Sequence, residues 1–486
     1  MEQMMEQKGS VIVVGAGIFG LSTALHLSRR GYSVTVFDKQ PYDESRYSYF
    51  KGADSASSDI NKIVRSAYGQ QTEYQQLSGE AITAWHEWNN ELAGGQTLPP
   101  GMSRKDRVFI PNGNISLSSD VELPSWELAC IDGMEKAGYH NTQLATTNPV
   151  HCDLAADRGL SSYMNPFRQK DRGKRPVGVL DTTGACRFAL HKAREEGARF
   201  VFGPQAGCLQ SLCHEGSKVT GIITRDGKTH NATMTILACG ALTPVLLPEL
   251  DGLCEATAGS VVLIKIPPES QLWNRLAPEN FPTFTFNMRA GSSGGLYGFP
   301  RNDEGIFKIG YRGTKYTNPI RHEDGKERST PVTRWSQAER NGSPIGTCFT
   351  DFPKQAFQVI QSFLDEYLPE LREERIPVAT TRICWYTDTF DNHFLIDRVP
   401  GNEGLMVATG GSGHAFKYLP CIGNWVVDII ENIKLDRPAV QAWKWRSLGE
   451  KMPVNHLMQG SQGPRAFGKI ALHKEVDVKR ATVSRL

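Results

Sequence analysis

Val11-Ile12-Val13-Val14-Gly15-Ala16-Gly17-Ile18-Phe19-Gly20, answered further on by Asp38, decides the fold. Val11 to Val14 read as a buried strand. The glycines read as a tight turn, and the apolar spacing of Leu21, Ala24, Leu25 and Leu27 reads as a helix. The run Ser33-Val34-Thr35-Val36-Phe37 is a second strand, and Asp38 ends it 23 residues past Gly15. Such a unit holds a dinucleotide. Gly15 allows the turn, Gly17 lets the backbone approach a pyrophosphate, and Gly20 lets helix and strand pack closely. The helix N-terminus at Ile18 offers N–H groups to the phosphates. Asp38, with Lys39 beside it, suits a ribose hydroxyl.

Other segments return to this unit. Residues 59–92 read as mostly helical, with Ile63, Val64, Leu77, Ile82 and Trp85 as core positions and Arg65 on a helix over Asn61–Tyr68. Residues 95–180 are rich in Pro, Gly, Asn and basic residues, and Pro166–Pro176 reads as an exposed loop. A helix over Ala185–Ala198 and a strand over Arg199–Gly203 follow. Next come a hairpin turning at Asp226-Gly227 and a buried strand, Ala232–Gly240. Long strands over 256–312 suit a sheet roofing a ligand cavity, and residues 352–369 form an amphipathic helix. Residues 380–436 return to the nucleotide site, and the polar tail 437–486 wraps the surface. The second half has no further GxGxxG, so one dinucleotide gathered from distant segments points to FAD over an exchanging nicotinamide.

Composition narrows the partners. A net charge of +2 over 486 residues suggests neither nucleic acid nor membrane. No apolar run is long enough for a membrane span. The ten cysteines form no CxxC pairs, which argues against zinc and against a disulfide framework. The ending Ser484-Arg485-Leu486 is similar to a peroxisomal address, with the cytosol as the other location.

The chemistry concentrates in Arg382-Ile383-Cys384-Trp385-Tyr386-Thr387-Asp388-Thr389, in Phe394–Asp397, and in Ala408–Gly423 with its run Gly410-Gly411-Ser412-Gly413-His414. Here the chain resembles the monomeric sarcosine oxidase family, which includes pipecolate oxidases, saccharopine oxidase-like proteins and fructosyl amino acid oxidases (amadoriases), in a fungal-type branch. The resemblance implies a discontinuous α/β FAD-binding Rossmann-type domain over 8–92, 177–255 and 372–436. It also implies an α+β substrate domain with a mainly antiparallel sheet over 93–176 and 256–371, and a tail over 437–486. Cys384 would carry the flavin through an 8α thioether. Gly411, Ser412, Gly413 and His414, opening a helix, would contact the ring where it becomes anionic on reduction. Lys308, in Phe307-Lys308-Ile309-Gly310-Tyr311, matches the oxygen-activating lysine, because a fixed cation stabilises superoxide. Arg65 and Lys417 align with the two cations that hold a substrate carboxylate. Tyr297 matches an active-site tyrosine, with core packing as the alternative, and Lys62 is a candidate for the re face of the flavin.

Two departures bear on substrate. Amadoriases carry an acid four positions past the oxygen-activating lysine, and here that position is Arg312. Their C-terminal carboxylate-binding arginine corresponds by a gapped alignment to Glu450. The expected enzyme is an FAD-dependent oxidase of a secondary amine that forms an imine or iminium and H₂O₂. The amine is an N-alkyl or cyclic amino acid, with an aromatic N-methyl amino acid of secondary metabolism included. The alternatives are a fructosyl amino acid oxidase and a flavin dehydrogenase with another acceptor. The partners implied are the amine and O₂, and monomer is the family default.

Overall fold

Val11–Val14 are buried on both faces of their strand, the pattern of a central strand in a parallel sheet. The computed structural model describes residues 8–53, 55–95, 98–167, 177–181, 188–335, 338–340, 343–345, 349–448 and 456–481. Most of the basic stretch within Pro166–Pro176, Glu450 and Ser484–Leu486 lie outside the described residues. Strand Ser10–Val14 sits inside a six-stranded sheet ordered Leu395–Arg398, Leu405–Thr409, Met234–Leu237, Ser10–Val14, Ser33–Asp38, Arg199–Phe202. All neighbours run parallel except Leu395–Arg398. Helix Ile18–Arg29 packs between helices Phe188–Glu195 and Ile422–Ile430. A Cβ on Gly20 would stand 1.7 Å from the Gly15 carbonyl oxygen. Only glycine lets the helix come this close to the turn.

The second sheet has eight strands, ordered Val378–Thr389, Cys254–Lys265, Ile306–Tyr316, Leu296–Phe299, Thr283–Phe286, Asn114–Ser118, Val177–Asp181, Leu144–Ala145. Every pairing is antiparallel except that between Thr283–Phe286 and Asn114–Ser118. One face is closed by helix Lys354–Tyr367, whose Phe357, Ile360, Phe363 and Leu364 join a core with Phe284, Phe307 and Trp385. The other face is left for chemistry. Val177–Asp181 and Val378–Thr389, placed by sequence in the nucleotide-binding part, hydrogen-bond into this second sheet.

Three expectations are corrected. Residues 61–68 form no helix, and the helix begins only at Gln75 and runs to Gly94. The Asn61 carbonyl accepts from the Lys308 ammonium at 3.0 Å, so it is not spent on a helical ladder. The glycine run does not open an α-helix. It turns, with Ser412 at φ 44° and Gly413 at φ 75°, into a short 3₁₀ turn at Phe416–Tyr418, and the helix starts at Ile422. The tail is not only a wrap. Trp443 is fully buried in the first core, Phe467 and Val478 join the second, and Leu472–His473 pairs with Phe352–Pro353. Among the described residues no helix is long and apolar enough to cross a membrane.

Gly20→Ala drives a methyl group into the Gly15 carbonyl. Overpacking of this kind costs about 1–3 kcal/mol. We expect a lowered melting midpoint and reduced retention of bound nucleotide, both read on purified protein.

Candidate active site

The glycine turn is fixed by the acid that follows it. Asp38 Oδ2 accepts from the Ala16 amide at 2.7 Å and Oδ1 from the Gln40 amide at 2.8 Å. Burial pushes the Asp38 carboxyl upward, and these two amides oppose that push. The Ile18 amide donates to Ser57 Oγ at 3.2 Å, which ties the helix start to the 55–62 segment. A cavity of about 440 Å³ borders Gly15, Gly17, Ile18, Asp38 and Lys39. It continues past Arg225 and Cys239 to Lys62, Tyr386, Gly411, Ser412 and Gly413. It therefore joins the nucleotide turn to the glycine run. Two hydroxyls on its lining, Thr387 Oγ1 and Thr409 Oγ1, are buried without a hydrogen-bond partner. A buried hydroxyl left unpaired is costly. A ligand with polar edges, as a dinucleotide has, would remove that cost, so the residues present fit one.

Strand alternation builds the chemical face. Side chains two apart share a face, so Arg382, Cys384, Tyr386 and Asp388 look one way, while Ile383 and Trp385 enter the core behind. The adjacent strand pairs Gly259 with Cys384 and Val261 with Arg382. The next pairs Lys308 with Leu263, and the fourth pairs Phe299 with Lys308 and Tyr297 with Gly310. Lys308, Arg312, Tyr297 and Cys384 thereby meet on one surface. Tyr297 and Tyr386 hydroxyls lie 3.3 Å apart. Cys384 is 1 % exposed, packed among Val261, Leu263 and Ile306 beside Tyr386. Lys308, Tyr297 and Arg312 are within its electrostatic reach.

One carboxylate organises the cations. Lys308 Nζ is fully buried and donates to Asp59 Oδ2 at 2.5 Å. Lys62 Nζ lies 3.4 Å from the same oxygen, and Arg382 Nη1 lies 3.2 Å from Oδ1. Burial drives the Lys308 pKa down to about 8 against the pull of Asp59. Burial alone would raise the Asp59 carboxyl, yet Lys308, Lys62 and Arg382 hold it far below the usual carboxylate range.

A second cationic group stands beside the glycine run. Arg312 stacks on Tyr386 at 4.0 Å and pairs with Asp388 at 3.3 Å. Its guanidinium occupies the space a Cβ on Gly413 would fill, 1.5 Å from Nη1. Asp388 also meets Lys315 at 3.2 Å and accepts from Thr257 Oγ1. Burial works against its charge, but Lys315 and Arg312 outweigh it and bring the pKa to about 2. Lys417, 2 % exposed, donates to Tyr68 Oη at 2.8 Å, and the Arg65 carbonyl is 3.4 Å away. Tyr68 also meets His414 Nδ1 at 3.0 Å. Burial, then Lys417, then the Arg65 and Arg312 charges push the His414 pKa down to about 3, so the ring is neutral. Arg65 and Lys417 are thus neighbours, but Lys417 is turned into the tyrosine cluster.

Ser412 stitches the two sheets together at this end. Its amide donates to the Thr387 carbonyl at 2.9 Å, and its hydroxyl accepts from the Thr389 amide at 3.2 Å. The sequence reading did not single out Arg382, Tyr386, Asp388 or Ser57. The first three were available by alternation once Cys384 was chosen, whereas Ser57 carries no local signal.

Residues 10–429 match the DAO family, FAD dependent oxidoreductase, and the chain belongs to it. It is 27% identical to the L-saccharopine oxidase of Schizosaccharomyces pombe, over 90% of this chain and 93% of that one. It is 25% identical to the N-methyl-L-tryptophan oxidase of Salmonella enteritidis, over 87% of this chain and 94% of that one. Among solved structures it is similar to the deglycating fructosamine oxidase Amadoriase II of Aspergillus fumigatus. There the TM-score is 0.68 and the identity 27%, with 91% of this chain and 90% of that one covered. The fold is that expected from sequence, and FAD is the family's cofactor.

Asp388→Asn leaves Arg312 and Lys315 without their shared counter-charge. Breaking a buried pair from one side costs about 3–5 kcal/mol, which chemical denaturation should read. The carboxyl pKa falls on folding from 3.8 to about 2. Its contribution is therefore complete above pH 4 and lost as pH drops toward 2. The Asn variant should lose that part of the acid dependence.

Proposed function

We propose that the chain oxidises a secondary amine, an N-alkyl or cyclic amino acid, with O₂ as the acceptor and H₂O₂ as product. The observation that carries this reading is Lys308, a buried ammonium fixed by Asp59 on the face shared by Cys384, Tyr297 and Arg312. The names of the relatives support it, since they are oxidases of saccharopine and N-methyltryptophan.

Bound FAD supplies the two-electron acceptor for a C–H bond next to nitrogen and returns those electrons to O₂. The chain's own residues do the rest. Cys384 would hold the ring through a thioether. The Gly411–Gly413 backbone and the Arg312 guanidinium would stabilise negative charge on a reduced ring. Tyr297 and Tyr386 wall the amine. Arg65 and Arg312 supply positive charge for the substrate carboxylate, with Lys417 adding its charge from behind Tyr68, and this orients the reacting carbon. The same cations disfavour a protonated amine nearby. The substrate therefore reacts as the neutral base with its lone pair available, and no side-chain base is required. Lys308 stabilises the negative charge that forms as oxygen takes its first electron. Arg312 stands against a fructosyl amino acid, because it puts a cation paired to Asp388 where amadoriases carry an acid.

Lys308→Met should slow reoxidation by O₂ by about 100-fold or more, the scale of losing one preorganised electrostatic group. Anaerobic reduction by the amine should be nearly unchanged. Equal reoxidation rates would point to a dehydrogenase. Because the ammonium titrates near 8, reoxidation in the unmodified protein should fall as pH rises through that value, and this step should be absent in Lys308→Met. Acid precipitation should leave flavin on the Cys384 peptide, and Cys384→Ala should release it to the supernatant.

A further inference from the structure

We propose that Asp59 is a positioning residue for oxygen use, and that Lys62 competes with Lys308 for it and so sets the upper pH limit of that step. This rests on the amine-oxidase reading above and concerns how the same site is regulated.

Asp59 has two oxygens and three cations. Lys308 Nζ reaches Oδ2 at 2.5 Å, Lys62 Nζ lies 3.4 Å from that same oxygen, and Arg382 Nη1 lies 3.2 Å from Oδ1. The three are not held alike. Lys308 is fully buried, and its ammonium also donates to the Asn61 carbonyl at 3.0 Å and lies 4.5 Å from the centre of the Phe299 ring. Arg382 is 3 % exposed, donates to the Ser55 carbonyl at 2.7 Å and covers the Tyr49 ring at 4.5 Å. Lys62 is held least. Its side chain is 16 % exposed on the cavity wall, and its reach to Oδ2 is longer than an ordinary hydrogen bond. It also meets the Asp59 carbonyl at 3.3 Å and the Phe416 ring at 5.0 Å. Removing Lys62 therefore leaves the bond between Asp59 and Lys308 in place.

The sign of each effect follows from charge. Lys308 is faced by Asp59 and Lys62 from the 55–62 segment and by Cys384 from strand Val378–Thr389, with Arg382 on the far oxygen of Asp59. Tyr297 faces it from Leu296–Phe299, and Tyr386 and Arg312 stand beyond Tyr297. The Asp59 carboxylate favours the ammonium most, and burial and Lys62 oppose it. A second cation on one oxygen draws part of the field of that carboxylate to itself. Lys62 thus weakens the hold of Asp59 on Lys308, besides repelling it. The ammonium, and not the neutral amine, stabilises the charge that forms when oxygen takes its first electron. Oxygen use therefore lasts up to the pH at which Lys308 loses its proton. Asp59 raises that pH, and Lys62 lowers it.

Two readouts on the FAD-loaded protein test this. In the first, the protein is reduced with dithionite, so that no amine is needed, and reoxidation by O₂ is followed from about pH 7 to 10. Asp59→Asn should move the fall in rate to lower pH by about one pH unit or more, the scale of losing an adjacent opposite charge. Lys62→Met should move it upward. Relative to its rate at pH 7, reoxidation at pH 9 should then be roughly two- to threefold faster, the change that about half a pH unit brings. Lys62→Arg should return the fall toward its original place. In an Asp59→Asn background, Lys62→Met should have a smaller effect, because the shared group is gone. The second readout is stability by chemical denaturation. Lys308 titrates at about 8 in the folded protein and at 10.5 when free, so between those values it binds fewer protons folded than unfolded and stability rises with pH. Measured against Lys308→Met, that rise should start near pH 8 in the unmodified protein, lower in Asp59→Asn and higher in Lys62→Met. Should Asp59→Asn not fold, the upward move in Lys62→Met decides alone. An unmoved profile in Lys62→Met, or a Lys62→Met effect undiminished without Asp59, overturns the proposal. Equal reoxidation of Lys308→Met and the unmodified protein would overturn the oxidase reading instead, and the stability readout would still report which groups hold the Lys308 charge.

Discussion

Three cations converge on the buried carboxylate of Asp59. Lys308 comes from the second sheet, Lys62 from the segment beside the nucleotide helix, and Arg382 from the strand that carries Cys384. Burying an ammonium alone is prohibitive, and burying a carboxylate alone nearly so. Each is tolerable because the other is there. The arrangement also fixes geometry, since Asp59 on Lys308 and the Ser55 carbonyl on Arg382 tie the 55–62 segment to the sheet. Ser57, on that segment, then reaches the start of the nucleotide helix. The position of the buried Lys308 ammonium and that of the glycine turn are therefore set by one electrostatic knot.

The sheet supplies the rest by repetition. Four neighbouring strands present alternate residues to one surface, and the residues between them fill a core against helix Lys354–Tyr367. That division explains how Arg382, Cys384, Tyr386 and Asp388 act together while Ile383 and Trp385 serve only packing. It also explains why the cationic groups do not collapse onto one another. Asp59 and Asp388 each hold a separate cluster, and the rigid pleat keeps the clusters apart.

How much of this was legible in sequence depended on whether a feature was local. Val11 to Gly20 and Asp38 could be read because turn, helix start and acid lie in one short unit whose spacing is set by backbone geometry. Cys384, Lys308 and the glycine run stood out because the motif around each is contiguous. Residues 61–68 were misread. Ile63, Val64, Ala67 and Tyr68 have helical spacing, but Lys308, far along the chain, claims the Asn61 carbonyl. Trp443 was missed for a related reason, as one large ring in a polar tail carries no periodicity, yet it is fully buried. The pairing of Arg312 with Asp388 and that of Lys308 with Asp59 are tertiary facts, and neither spacing nor composition encodes them.

Ser412 joins the glycine run to Thr387 and Thr389 across the seam between the sheets. That seam borders the cavity that joins the nucleotide turn to the glycine run. Opening the cavity on this side must therefore break both hydrogen bonds together, which makes that opening cooperative. Assembly meets the same constraint in reverse: the strand bearing Cys384 and the loop bearing Ser412 have to come together before the cavity has this wall.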